Sequence, residues 1–135
     1  MKKIVLDTSA LITLIEEEPG AEEVEKIIQE TLDGEHQVFI SIIAKIELFY
    51  ISVQEQNLSI AKQRMQLIND LPLNTVDVKD DLIETIGKLK AKHSISFADS
   101  CIAGLAKNLN AKLVHKDPEF EYLENQIKLT PLPYK

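Results

Sequence analysis

The sequence has 135 residues, of which 44% are hydrophobic and 27% are charged. This length and balance predict one compact domain over residues 1–135, and they exclude a disordered or fibrous chain. The formal net charge of −7 disfavours general binding to nucleic acid, which usually depends on a basic surface. With a single cysteine, Cys101, an internal disulfide is impossible; we expect this residue to be a small buried hydrophobe.

Short β-branched runs alternate with segments in which apolar residues recur at helical spacing. Thr8 or Ser9 can cap the first helix, and Ser41 can cap the third. In chain order, the patterns predict a strand over residues 4–6, helices over 10–18 and 21–32, a strand over 38–40, helices over 42–53 and 60–68, a strand over 75–78, helices over 82–92 and 96–110, and strands over 112–115 and 127–129. This alternation predicts an α/β fold of three layers, α/β/α, with a mostly parallel central sheet.

We expect neither a secretion signal nor a membrane span in this sequence. Its first apolar stretch, residues 4–6, ends at Asp7 and is too short for the core of a signal peptide. The longest apolar region, residues 39–53, contains Lys45 and Glu47 and is too short to cross a bilayer. We therefore expect a cytoplasmic protein.

Four acids fall at one edge of the predicted sheet. Asp7 follows the first strand, and Glu47 lies in the second turn of the helix after the second strand. Asp99 lies in the first turn of the last helix, and Asp117 follows the fourth strand. The carboxyl ends of parallel strands and the helix N-termini meet at the same edge, where ligands bind in such folds. We therefore expect the four carboxylates to converge, although the chain separates them widely.

Each acid also has an ordinary structural interpretation. Asp99 stands three residues after Ser96, which is the spacing of a capping box. Asp117 precedes a proline and suits a turn, and Glu47 borders an apolar stripe, as surface glutamates often do. Asp7 is harder to explain in this way because it adjoins a buried strand. The prediction of a site therefore depends on the convergence of the acids and not on any one of them.

Three stretches resemble the motifs of PIN-domain ribonucleases. The string Val5-Leu6-Asp7-Thr8-Ser9-Ala10-Leu11-Ile12 is similar to their opening motif. Residues 95–106, around Asp99, resemble their central acidic motif, residues 112–120, around Asp117, resemble their closing motif, and Glu47 supplies the remaining acid. The resemblance covers nearly the whole chain, whose size is similar to that of VapC-type toxins of toxin–antitoxin pairs. It implies a PIN-like fold and a divalent-metal-dependent endoribonuclease, a hydrolase acting on RNA.

The resemblance also implies a metal centre. Asp7, Glu47, Asp99 and Asp117 would hold one or two Mg²⁺ or Mn²⁺ ions as the catalytic acids, and Thr8 or Ser9 would orient Asp7. Hydrolysis of a phosphodiester needs a deprotonated water and stabilisation of developing charge, which such ions supply. Hard cations select oxygen ligands, whereas the three histidines lack the spacing of a zinc site. We expect divalent ions to raise the melting temperature, and Asp7→Asn to raise it in metal-free buffer.

The implied partners are an RNA substrate, an antitoxin protein and a second copy of the chain in a homodimer. Six lysines are candidates for contacts with RNA phosphates: Lys88, Lys90, Lys92, Lys107, Lys112 and Lys116. Aromatic residues make up only 5% of the chain and include no tryptophan, so no platform for stacking bases is evident.

One departure from the family pattern is His115, which stands where Thr or Ser is usual, two residues before the last acid. We expect it to be a surface residue at the end of its strand, and it puts in doubt the hydrogen bonding that supports Asp117. Together with the negative charge, it favours an alternative, a weakly active or inactive PIN-like interaction module, whereas the presence of all four acids counts against that alternative. A third interpretation, a phosphatase or receiver domain with one strand-end aspartate, is disfavoured because Ser9 stands where a second acid is needed.

Overall fold

Five parallel strands form the central sheet of the computed structural model, which describes residues 2–134. The strands are β1 (Lys2–Leu6), β2 (His36–Ser41), β3 (Asn74–Val76), β4 (Lys112–His115) and β5 (Lys128–Pro131). The helices are α1 (Thr8–Ile15), α2 (Ala21–Leu32), α3 (Ile42–Glu55), α4 (Leu58–Asn69), α5 (Ile83–Lys92) and α6 (Phe97–Leu109), with 3₁₀ helices at Asp80–Leu82 and Pro118–Leu123. The predicted α/β/α fold with a parallel sheet is confirmed.

The strand order β3-β2-β1-β4-β5 reverses direction beside the first strand. The chain builds outward from β1 through β2 to β3, then crosses back to add β4 and β5 on the other side of β1. In open parallel sheets, ligands bind outside the carboxyl ends of the strands at such a reversal. Asp7 follows β1 and Asp117 lies two residues after β4, so the topology places both beside this crevice.

Helices cover the two faces of the sheet. The crossovers from β1 to β2 to β3 run in one direction and the return to β4 runs in the other. Because such crossovers are right-handed, α1–α4 lie on one face and α5–α6 on the other. Helix α6 contacts β1, β2 and β4, and the central strand residues Val5, Leu6, Leu113 and Val114 are completely buried. Cys101 is buried, as expected, and the apolar residues of α1 pack against the core.

Four strands differ from their predicted bounds: β1 and β2 each begin two residues earlier than predicted, and β3 and β5 end at other residues. The third strand ends at Val76, not at residue 78, because Val76 pairs with Ser41, the last residue of the neighbouring β2. The fifth strand extends beyond residues 127–129 to Pro131, which pairs with His115 at the end of β4. The other predicted elements are present with shifted bounds. Among residues 2–134, no helix is long and apolar enough to cross a membrane.

Candidate metal centre

Carboxylates from four parts of the chain meet beyond the ends of β1 and β4. Oxygens of Asp99, Asp117 and Glu119 lie within 4.8 Å of one another, a group of the kind that can hold a metal ion. Asp7 is close enough to interact electrostatically with Asp99, Asp117 and Glu47. The structure thus brings the four predicted acids together and adds Glu119. Within the described chain, Asp7 and Glu47 stand outside the tightest group.

Asp7 is held by the first turn of α1. It is the N-cap of that helix, and its Oδ1 accepts a hydrogen bond from the Ala10 N–H at 2.8 Å. The prediction that Thr8 or Ser9 caps the helix is wrong, because Asp7 has the extended backbone that aims a cap side chain at the first-turn N–H groups. Ser9 Oγ lies 2.8 and 2.7 Å from the two carboxylate oxygens of Asp7.

Burial changes the protonation of Asp7. The side chain is 2% exposed, and this desolvation raises its pKa from 3.8 to about 7. Hydrogen bonds from Ser9 and Ala10 lower the pKa, whereas the charges of Asp117 and Glu47 raise it. Near neutral pH the metal-free carboxyl therefore retains a proton for much of the time. A cation in the cluster would favour the charged form.

Ser9 and Thr8 support two different acids. Ser9 Oγ accepts from the Lys116 N–H at 2.8 Å while it donates to Asp7, so it ties the end of β1 to the chain after β4. Thr8 Oγ1 donates instead to Glu47 Oε1 at 2.6 Å. Consecutive helical residues point about 100° apart, so the two hydroxyls face different neighbours. Of the two predicted supports of Asp7, only Ser9 contacts it.

Glu47 lies at the edge of the cluster, half-buried on α3. Its Oε1 accepts from Thr8, and its Oε2 accepts from Tyr50 Oη at 3.4 Å. Each oxygen of the Glu47 carboxylate thus accepts from one hydroxyl, and the two hydrogen bonds orient it. Glu47 is therefore not the unconstrained surface glutamate that its place beside the apolar stripe of α3 suggests.

Asp99 takes part in only half of a capping box. Its N–H donates to Ser96 Oγ at 3.1 Å, so Ser96 caps α6 as predicted. In a complete capping box, the carboxylate three residues after the cap accepts from the backbone N–H of the cap. Here the Ser96 N–H donates to Glu119 Oε1 at 2.7 Å, and the Asp99 carboxylate remains in the cluster.

The pKa of Asp99 lies well above its ordinary value. Burial is the largest cause, followed by a hydrogen bond with Glu119 and the negative charges of Asp117, Glu119 and Asp7. Carboxylates this close together either share protons or recruit cations. Two carboxylates about 4 Å apart repel each other by roughly 4 kcal/mol at an effective dielectric constant near 20.

His115 supports Asp117 from inside the protein. It is completely buried, with its ring centroid 5.2 Å from that of Phe120, so the prediction of a surface residue is wrong. Pairing of β4 with β5 and packing of Phe120 cover the ring. His115 Nδ1 lies 3.1 Å from the Asp117 nitrogen, whose N–H donates to it, while Nε2 has no hydrogen-bond partner among the described residues. His115 therefore gives Asp117 a backbone contact despite its departure from the family pattern.

Lys116 is also buried, with its side chain 4% exposed. Its ammonium donates to the Pro19 carbonyl at 2.7 Å and lies 3.5 Å from Glu18 Oε1. The expectation that Lys116 contacts RNA is therefore wrong, because the turn between α1 and α2 encloses its side chain.

Glu119 is the site residue that sequence reasoning missed. Its N–H donates to Asp117 Oδ1 at 2.9 Å, and its carboxylate caps α6 and joins the cluster. The available signal was an acid two residues after Asp117, at the start of a short helical turn beginning with proline.

The residues present suit a hard divalent cation. Within residues 2–134, none of the five acids forms an ion pair with lysine or arginine. Their charges therefore lack a positive partner from the protein in this region. Carboxylate oxygens are the ligands that Mg²⁺ and Mn²⁺ prefer. Asp99, Asp117 and Glu119 would hold such an ion most directly, with Asp7 and Glu47 beside them.

Comparison with known proteins identifies the family and the fold. The family model described as PIN domain matches residues 4–125. The fold is similar to VapBC2 from Rickettsia felis bound to a promoter DNA fragment, with a TM-score of 0.80 and 20% identity over 97% of this chain and 99% of that one. DNA-bound VapBC from Salmonella typhimurium gives a TM-score of 0.78 and 22% identity over 97% and 98% of the two chains.

VapC20 from Mycobacterium tuberculosis, a toxin that cleaves the sarcin-ricin loop, gives a TM-score of 0.64 and 16% identity over 88% and 93% of the two chains. No curated protein sequence matches the chain. At these identities the structural likenesses establish the fold, while the family model matches most of the sequence itself. The chain therefore belongs to the PIN-domain family.

Proposed function

We propose that this protein is a divalent-metal-dependent endoribonuclease and the toxin of a toxin–antitoxin pair. The observation that carries the proposal is the convergence of Asp7, Glu47, Asp99, Asp117 and Glu119 at the reversal of strand order. Such a concentration of buried negative charge repels a phosphate unless cations offset it. A bound Mg²⁺ or Mn²⁺ would activate a water and stabilise charge on the phosphoryl oxygens.

The protein's own groups have definable tasks in such a reaction. Ser9 fixes both oxygens of Asp7, and Thr8 and Tyr50 fix those of Glu47. The N-termini of α1, α3 and α6 lie at this edge, where the helix dipoles favour negative charge. In the hydrolysis, a water oxygen forms a bond to phosphorus and the bond to the leaving ribose oxygen breaks. A carboxylate of the cluster accepts the proton of the attacking water, and the leaving ribose oxygen takes up a proton from solvent to become a hydroxyl.

The test is cleavage of a mixed single-stranded RNA with Mn²⁺, with Mg²⁺ and with chelator. Asp99→Asn is the test variant, and Asp33→Asn, an exposed acid at the end of α2, is the matched control. We expect cleavage that requires metal, is abolished by Asp99→Asn and is unchanged by Asp33→Asn. Absence of cleavage by folded protein with bound metal and no co-purified antitoxin would favour the inactive interaction module. The contact between His115 and Asp117 removes one reason for that alternative.

An antitoxin partner and a homodimer belong to the same proposal. The VapBC complexes among the similar structures support the antitoxin, and the family resemblance supports both the antitoxin and the homodimer. Co-expression with the product of an adjacent gene would test the antitoxin, and light scattering on the purified protein would test the dimer. A monomer at all concentrations would contradict the second point without affecting the nuclease assay.

A further inference from the structure

Most exposed aromatic rings of this chain lie beside the carboxylate cluster. The chain has seven aromatic residues, four Phe and three Tyr. Tyr50, Phe97 and Tyr134 are 44%, 65% and 39% exposed, and we call these three the aromatic rim. A fourth exposed ring, Tyr122, lies in the 3₁₀ helix that follows Asp117. The sequence alone does not indicate a surface for stacking bases, but the folded chain places most of its exposed rings near the acids.

Tyr50 and Tyr134 adjoin different acids of the cluster. Tyr50 Oη is 3.4 Å from Glu47 Oε2, and its pKa is raised by burial and by the charges of Glu47 and Asp99. The Tyr134 ring centroid is 6.1 Å from that of His115, the residue that accepts from the Asp117 N–H. One ring therefore borders the α3 side of the cluster and the other borders the β4 side.

Phe97 is exposed at the start of the helix that supplies Asp99. It is the first residue of α6 and directly follows Ser96, whose N–H donates to Glu119. Tyr50 and Phe97 thus belong to the helices that supply Glu47 and Asp99, and Tyr134 contacts His115, two residues before Asp117. All three rings therefore lie in segments that adjoin the cluster.

Five of the six candidate lysines offer little competition for this role. Lys116 is buried against Pro19, Lys90 donates to the Ile95 carbonyl, and Lys107 donates to Gln126. Lys88 pairs with Glu84, and Lys112 begins β4 and so lies at the edge of the sheet away from the acids. This leaves Lys92, exposed at the end of α5, as the one candidate of the six for a phosphate contact. Stacking on aromatic faces is an alternative source of affinity, and only unpaired bases can use it fully.

We infer that Tyr50, Phe97 and Tyr134 stack on unpaired bases flanking the scissile phosphodiester. This inference rests on the proposed nuclease function and assigns its substrate-binding residues. Tyr50 has a second task, the hydrogen bond to Glu47, which the test separates from stacking.

The test measures the binding of a labelled single-stranded RNA, and of the same sequence in a duplex, by fluorescence anisotropy with Mn²⁺. All proteins carry Asp99→Asn so that the RNA is not consumed. Tyr50→Ala, Tyr134→Ala and Phe97→Ala are each compared with Leu32→Ala, an exposed apolar side chain at the end of α2, near the opposite edge of the sheet. Loss of one stacked base corresponds to a Kd about 5- to 150-fold higher.

We expect each ring-to-alanine variant to bind single-stranded RNA with this higher Kd and to bind the duplex almost unchanged. Leu32→Ala should have no effect, and Tyr50→Phe, which keeps the ring, should bind normally. In the active background, the ring variants should raise KM more than they lower kcat. If the wild type cleaves RNA but the ring variants bind and cleave normally, the nuclease proposal stands and the aromatic rim does not bind bases. Ring variants that lose only self-association in light scattering would identify the rim as a protein interface and overturn the inference. If the wild type neither binds nor cleaves RNA, both proposals fail.

Discussion

Replacing Asp7 by asparagine should change how the stability of the metal-free protein depends on pH. In the folded protein the pKa of Asp7 is raised to about 7 from 3.8, so the folded state holds a proton that the unfolded chain releases. When the folded state binds more protons, the free energy of unfolding falls as the pH rises. The loss begins near the unfolded pKa and is complete above the folded one.

The size of this effect follows from the shift in pKa. Between about pH 5.5 and about pH 8, ionisation of Asp7 should lower the free energy of unfolding by about 2 kcal/mol. Because the side chain is almost completely buried, solvent screening does not reduce this figure. Asp7→Asn has no proton to lose at this position. The difference in free energy of unfolding between Asp7→Asn and wild type should therefore shift by about 2 kcal/mol in favour of the variant as the pH rises over this interval. For a chain of this size, that shift corresponds to roughly 6 °C in melting temperature.

The assay is thermal unfolding followed by circular dichroism in chelator at both pH values. Asp33→Asn serves as a control for the loss of an ordinary surface carboxylate. Saturating Mn²⁺ should raise the melting temperature of the wild type at the higher pH and have a smaller effect on Asp7→Asn. If wild type and Asp7→Asn show parallel pH dependence, burial does not penalise the Asp7 charge and the electrostatic account of the site is wrong.

Four further substitutions test three separate parts of the structure. Ser9→Ala removes the donor to both oxygens of Asp7, so Mn²⁺ affinity measured by titration calorimetry should fall about 10- to 100-fold; unchanged affinity would show that Ser9 does not position Asp7. Glu119→Gln keeps an oxygen to cap α6 but removes a charge from the cluster, so metal affinity should fall while the melting temperature in chelator stays level or rises. Gly104→Ala would place a Cβ 2.5 Å from Cγ1 of Ile86 on α5. This overlap should lower the free energy of unfolding by about 1–2 kcal/mol, measured by urea unfolding. Gly87→Ala, with open space around its Cβ, should be neutral or stabilising by up to about 1 kcal/mol, and equal losses in the two variants would refute the packing explanation.

The capping residues show where local pattern and tertiary contact diverge. Ser96 caps α6 as its spacing predicts, because an N-cap bond joins residues three apart in the chain. The partner of the Ser96 N–H could not be predicted locally, since Glu119 lies 23 residues away and arrives through the topology of the sheet. Likewise, Thr8 and Ser9 were recognised as polar residues beside Asp7, but only the packing of α1 against α3 directs Thr8 to Glu47.

The sequence by itself determined the alternation of strands and helices, the parallel sheet and the edge at which Asp7, Asp99 and Asp117 would meet. These follow from hydrophobic periodicity and from the common direction of parallel strands, which are properties of short segments. Only the tertiary structure decided that His115 and Lys116 are buried, that Glu119 joins the cluster and that Tyr134 reaches its β4 side. Burial and proximity at these positions depend on β5, the α1–α2 turn and the C-terminal segment packing over the end of β4. Contacts between segments that are distant in the chain do not appear as a hydrophobic periodicity, so the sequence pattern could not predict them.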